Sequence, residues 1–309
     1  MFGDIPRILH PSDLSQASEI AFAHALRISL ATGGKFDILH VPASSRRPDW
    51  GEFPAVRGTL HRWGFLPEGS PSAAVADLGI DVEKIALGKG DTLESILRYV
   101  DSHRTDLIVL TTHQREGLLL RWWAGSLAVP VHPMVGAGSL AEPLARKGGI
   151  PTLFVPHDCA GFVSFETGKV ELERILVPMD HAPSPQAAVD AAAALAQAIG
   201  AVGAKFTLLH VGEDDGSPKV REREDVGSAW ERVVREGAPV QAILACEREI
   251  QADLIAMTTR GHEDFLDALR GSTTERVLRG ARCPVLAIPA GARATFRTPP
   301  EHRKRKEAK

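Results

Sequence analysis

Short, wholly apolar runs alternate with longer stretches of helical character along this chain, and the alternation is written twice. ILHPSD at 8–13 returns as ILVPMD at 175–180, and KFDILHV at 35–41 returns as KFTLLHV at 205–211. DLIVLTT at 106–112 recurs as DLIAMTT at 253–259, and PTLFVP at 151–156 as PVLAIP at 284–289. The offsets between copies are 167, 170, 147 and 133 residues, so insertions or deletions separate otherwise equivalent elements. Four blocks in one order mark a duplicated unit, and function can be read by comparing the copies.

Each copy opens with an aliphatic strand followed by an alanine-rich helix, which in the second copy is PQAAVDAAAALAQAIGA with Gly200 marking its end. A second strand follows, then a third in VEKIALG or AWERVVREG. The helix TLESILRYVDSHRTD or PVQAILACEREIQAD leads to DLIVLTT or DLIAMTT, continuous apolar runs of the kind buried on both faces of a parallel sheet. A last helix and strand, ERVLRGARCPVLAIP in the second copy, close the unit. Strand alternating with helix predicts an α/β fold of two tandem doubly wound domains, each a parallel five-stranded sheet with helices on both faces. The expected divisions are a first domain at 1–157 with an insertion around 114–138, a turn-rich linker at 158–172, a second domain at 173–291, and a basic, disordered tail at 292–309. Between its second and third strands the first copy has about forty residues and the second about sixteen, so a helix is missing from the second. The extra stretch carries Trp50 and Trp63 and reads as a helix-loop cover. Ligands of such sheets sit beyond the carboxyl ends of the strands, so the residues just after each strand are the ones to examine.

A length of 309 residues suits two domains, and 44% hydrophobic with 24% charged residues is ordinary for a globular chain. No apolar run reaches the roughly 18–20 residues of a membrane span. The start, MFGDIPRILH, enters a strand without the features of a secretory leader, so the cytoplasm is the expected compartment. Cys159, Cys246 and Cys283 are too scattered for a disulfide framework or a metal knuckle. A net charge of −3 gives no reason to expect nucleic acid as a partner; the tail RKRKEAK at 303–309 is basic and reads as a solvated end.

Candidate chemistry concentrates after the fourth strand of the second copy. Gly261 precedes Gly271, which is followed by Ser272, Thr273 and Thr274 at a helix start. Backbone N–H groups at a helix N-terminus with hydroxyls beside them make a phosphate cradle; the same run also serves as a plain N-cap with no ligand. Glu263 and Asp264 are placed to meet a magnesium ion or simply to decorate an exposed loop. In the first copy His10, His40 and His113 end three strands near Asp13, a zinc-like set if they converge; His40 has a twin in His210, which favours a structural strand histidine. The segment LLLRWWAGSLAVPVHPMVGA, with Trp122 and Trp123, reads either as cover over the sheet edge or as a surface for a protein or apolar partner. No GxxxxGKS/T loop, GxSxG elbow or HExxH is present, so catalysis beyond weak ATP hydrolysis is not expected.

The blocks ILVPMD, KFTLLHV, DLIAMTTRG, RGSTTERVL and ARCPVLAIP, in this order, resemble the universal stress protein family, and the resemblance covers both copies. It implies the adenine nucleotide alpha hydrolase-like fold and a regulatory module that binds ATP or AMP, with magnesium as a companion ion. Members that bind nucleotide carry a glycine, two residues, a glycine, nine residues, then glycine with Ser or Thr. Gly261, Gly271 and Ser272 match, and Thr258 stands where the first glycine belongs. The resemblance further maps Asp180 to the adenosine carboxylate and Pro178, Met179, Val211 and Met257 to the base, with His262 and Thr273 completing the set. His181 and Pro183 replace the usual Gly-Ser. In the first copy Gln114 occupies the place of Gly261, and 14 extra residues lie before Gly138 and Ser139, so only the second copy is expected to hold nucleotide. The family also pairs through its last strand, which implies intramolecular pairing of the copies or a homodimer.

Overall fold

The computed structural model describes residues 5–42, 49–88, 91–112, 150–213, 216–223, 229–259, 273–292 and Phe296. The first half runs β1 (Arg7–Pro11), α1 (Glu19–Thr32), β2 (Lys35–His40), α2 (Val56–Arg62), β3 (Asp81–Ala86), α3 (Thr92–Ser102), β4 (Leu107–Thr112) and β5 (Thr152–Pro156). The second runs β6 (Arg174–Met179), α4 (Gln186–Ile199), β7 (Lys205–Val211), β8 (Trp230–Arg235), α5 (Pro239–Ile250), β9 (Leu254–Thr259), α6 (Thr273–Gly280) and β10 (Val285–Pro289). Gly200, with φ of 81°, takes the left-handed conformation that ends α4, which is why a glycine closes the alanine run.

Sequence periodicity predicts two five-stranded sheets; the structure joins them edge to edge. The strand order is β3-β2-β1-β4-β5-β10-β9-β6-β7-β8, parallel throughout except where β10 meets β5. There Val285 opposes Phe154 and Ala287 opposes Thr152. Both strands are buried along their whole length, so an edge of either would leave apolar side chains and unpaired backbone groups in water. The outer edges, β3 and β8, are partly exposed and carry charge instead. Lys35 Nζ meets Glu83 Oε2 at 2.7 Å, and its counterpart Lys205 meets Glu231 Oε2 at 2.6 Å. Such surface pairs add little stability, but charge on an edge strand discourages further pairing.

Alternate strand residues feed two apolar layers. One lies under α1 and α4, whose alanines let the two helices pack on the same face and on each other. The other lies under α3, α5 and α6 and holds Leu9, Leu110, Leu176, Ile255 and Met257. Trp63 and α2 belong to the first layer, as the helix-loop cover requires, while Trp50 is 57% exposed against Phe53. Between β7 and β8, no α-helix occurs among the described residues.

Residues 158–172 differ from the turn-rich connector that composition suggests. Phe162 and Val163 are fully buried, and their backbone N–H groups donate to His24 Nε2 of α1 at 3.0 and 3.2 Å. Trp63 Nε1 donates to Phe165 O at 2.9 Å, and Arg27 Nε to Gly168 O at 3.2 Å. Gly168, at φ of 68°, lies under the Trp63 indole, where a Cβ would come within 2.4 Å of the ring. These partners are remote in sequence, so the local composition does not announce them.

His24 donates from Nδ1 to Ile20 O at 2.7 Å and accepts at Nε2, an arrangement open only to the neutral ring. Burial lowers its pKa from 6.5 to about 4, and burial does the same to His10. Between those values the unfolded chain takes up protons that the folded chain refuses, so stability is lost as pH falls through this window. We predict a loss of about 2 kcal/mol per ring on acidification from pH 7 to about pH 5, read as the midpoint of denaturant unfolding. His10→Val, which installs the residue of the matching position Val177, should remove one of the two contributions; an unchanged pH slope in that variant would refute a neutral His10.

Candidate functional site

The second half opens a crevice where its strand order reverses. β6 pairs with β9 only at Ile175↔Leu254 and Leu176↔Ile255, whereas β9 stays with β10 as far as Thr259↔Pro289. Asp253, just before β9, holds the closed end: its Oδ2 accepts from the backbone N–H groups of Glu173 and Arg174 at 2.9 and 2.8 Å. Beyond Leu176 the strands are no longer hydrogen-bonded to each other. Pro178, Met179 and Asp180 form one lip, Met257 and Thr258 the other, and Val211 ends β7 beside them.

The expected adenosine residues do not all face one way. Pro178 is in register with Leu209, and Leu209, Val211 and Met257 belong to the layer under α5 and α6. Met179 points to the opposite layer, 5% exposed, and packs under α4. The crevice therefore collects Pro178, Val211 and Met257, and Met179 serves the core. Asp180 is exposed, its Oδ1 accepting from the His181 N–H at 2.7 Å. The His181 ring reaches across to Gly216 O at 2.6 Å from Nε2 and lies 6.1 Å from the His210 ring.

Thr258, the departure from the glycine pattern, also faces away from Met257. Its Oγ1 accepts from the Ala188 N–H at 3.2 Å, in the first turn of α4. That N–H is one of the donors a helix start leaves without an intrahelical partner, so the threonine works as a cap supplied from a neighbouring strand. Thr273 opens α6. Gly261, His262, Glu263, Asp264, Gly271 and Ser272 lie outside the described residues. One wall was not anticipated from sequence: Gln186 of α4 accepts from Arg221 N at 2.8 Å and donates to Arg221 O at 3.1 Å. Together with His181 it fastens the segment after β7 to the crevice mouth.

The first half repeats the framework with different chemistry. β1 and β4 pair at only two positions, and Asp106 Oδ2 accepts from the Arg7 N–H at 2.9 Å. Asp13, the counterpart of Asp180, is turned into its own loop, with Oδ1 accepting from Ser15 N, Ser15 Oγ and Ser18 Oγ at 3.0, 2.7 and 2.6 Å. His10 Nδ1 donates to Val109 O at 2.9 Å and His40 Nδ1 to Ser12 O at 2.9 Å. Both rings thus serve the backbone, and His113, like Gln114, Gly138, Ser139, Trp122 and Trp123, lies outside the described residues. Among the described residues no group of three ligating side chains converges. Cys159, Cys246 and Cys283 are buried free thiols, and burial pushes Cys159 up to about 12.

A model of the universal stress protein family matches residues 5–156 and 217–289. The chain belongs to this family. A universal stress protein of Methanocaldococcus jannaschii is 30% identical over 80 residues, which are 25% of this chain and 47% of that relative, so the chain spans about half the relative's length. The crystal structure of a universal stress protein from Archaeoglobus fulgidus DSM 4304 is similar at 22% identity and a TM-score of 0.56, over 92% of this chain and 98% of the other. The cytoplasmic domain of a prokaryotic cation chloride cotransporter is similar at 11% identity and a TM-score of 0.51, over 95% and 99%. These structures share the fold, and the fold alone does not assign a function to this universal stress protein. Among its described residues no helix is long and apolar enough to cross a membrane.

Because the Thr258 hydroxyl caps α4 and does not enter the face of Met257, Thr258→Gly should lower stability by about 1–2 kcal/mol, while Thr258→Ser retains most of it. Thermal melts check this. A melting temperature unchanged by Thr258→Gly would show that the cap contributes nothing.

Proposed function

We propose that this universal stress protein is a cytoplasmic regulatory module whose second half binds ATP or AMP in the crevice between β6 and β9, the first half being its structural partner across β5 and β10. The orientation of Thr258 carries the reading. The residue that breaks the glycine pattern sends its side chain to the start of α4, so it does not crowd the face bearing Pro178, Val211 and the buried Met257, which is the face proposed for the adenine ring. Asp180, exposed at the same lip, is available to a ribose hydroxyl, and charge-assisted hydrogen bonds of this kind contribute about 1.5–3 kcal/mol. Gly261, Gly271 and Ser272 supply the phosphate end in the family motif. In the first half the matching carboxylate, Asp13, is already engaged by two serines, which supports one nucleotide per chain. A second reading, an interaction module using the first half, draws on the exposed Trp50.

Titration calorimetry with ATP and with AMP, with magnesium present and absent, tests the proposal. We expect one site per chain, a loss of about tenfold or more in Asp180→Ala, abolition in Gly271→Val, and no change in Asp13→Ala. Absence of binding by the wild type, or two equivalent sites, would overturn it.

A further inference from the structure

On the opposite edge of the second half, at the amino ends of β6, β9 and β10, lies a cavity of about 350 Å³ that the nucleotide crevice does not involve. Its wall holds Arg174 from β6, Glu247 and Arg248 from α5, Gln251 and Asp253 from the turn into β9, and Arg282 from the turn into β10. Asp253 is committed to the protein, and so is one oxygen of Glu247, whose Oε2 is buried without a hydrogen-bond partner. Asp253 takes Arg174 at 3.2 Å through Oδ1 and two backbone N–H groups through Oδ2. Glu247 is 3% exposed, with Oε1 accepting from the Arg282 N–H at 2.8 Å. The cations are less well matched. Arg174 Nε is buried without a partner, and among the described residues neither the Arg248 nor the Arg282 side chain has an acidic partner. The acidic neighbour Glu249 is occupied with Arg235 at 2.7 Å.

We propose that this cavity is a binding site for a small phosphate monoester. Guanidinium forks suit a tetrahedral dianion because each presents parallel N–H donors to two oxygens. The cavity lies within the roughly 300–1,000 Å³ of small-molecule sites, which exceeds a bare phosphate and leaves room for an organic body. The first half provides an internal contrast. With the same framework, Arg7 stands at the position of Arg174 but is paired with Asp37 at 3.1 Å, Asp101 stands at the position of Arg248 and Gly149 at that of Arg282, while Arg104, at the position of Gln251, is paired with Asp106 at 3.1 Å. Arg248 and Arg282 are therefore not a by-product of the fold; they belong to one copy.

The test is a calorimetric titration of the full chain with glycerol 3-phosphate, ribose 5-phosphate and glucose 6-phosphate, each beside its unphosphorylated alcohol. At least one ester should bind at one site per chain while its alcohol does not. The double variant Arg248→Gln/Arg282→Gln, altered only at exposed side chains, should weaken that binding by about tenfold or more with an unchanged melting temperature. Gly271→Val, aimed at the proposed nucleotide site, should leave it intact. The proposal is overturned if no ester binds, if the double variant binds as the wild type does, or if Gly271→Val removes binding as well.

Discussion

Two strands that are fastened at one end and part at the other govern this molecule. In each half the first and fourth strands share only two registered pairs, secured at the amino end by an aspartate that accepts backbone N–H groups, Asp106 in one half and Asp253 in the other. A buried or half-buried carboxylate spent on main-chain donors looks wasteful until its position is considered. It sits where the sheet must stay closed so that the far end can open. Further along, the fourth strand follows the fifth, the first follows the second, and the gap between them is where a ligand can reach backbone and side chains together.

With this constraint held in common, the halves diverge in what they place at the gap. Thr111 and Thr258 occupy equivalent positions and both turn toward the first helix of their half, yet the bond runs in opposite senses. Thr111 Oγ1 donates to Ala17 O at 3.3 Å, whereas Thr258 Oγ1 accepts from the Ala188 N–H. Both carboxylates are exposed, but Asp13 accepts from Ser15 and Ser18 within its own turn, whereas Asp180 accepts from the His181 N–H. Duplication permits this division, since one copy can commit a carboxylate to its local turn while the other leaves it less engaged.

The strands were legible because period and repetition reinforced each other: DLIVLTT and DLIAMTT each read as a buried strand, and finding them twice removed the ambiguity of a short apolar run. The lips of the crevice were legible as positions, since they follow strands. The direction of a side chain at those positions was not. Met179 and Thr258 both turn to the α4 side, a fact that depends on register and on the neighbouring helix start. Nor could local composition reveal that His24 binds Phe162 and Val163, or that Gln186 holds Arg221, because each contact joins segments whose approach is decided by the whole sheet. The arginine cavity has no sequence signature for a related reason: Arg174, Arg248 and Arg282 are dispersed in sequence and meet only at strand beginnings, the end of such a sheet that carries no familiar motif.

The antiparallel meeting of β5 and β10 has a geometric corollary. Because the two halves run in opposite directions, the carboxyl edge of the first half and the amino edge of the second are one and the same border of the ten-stranded sheet. The cavity lined by Arg174, Arg248 and Arg282 therefore shares a border with the Asp13 turn, whereas the Asp180 crevice looks out from the other. A macromolecule approaching either border would meet one surface from each copy, an ordered pair of unlike features that a symmetric dimer of identical halves, which repeats the same pair on both borders, has no means of distinguishing.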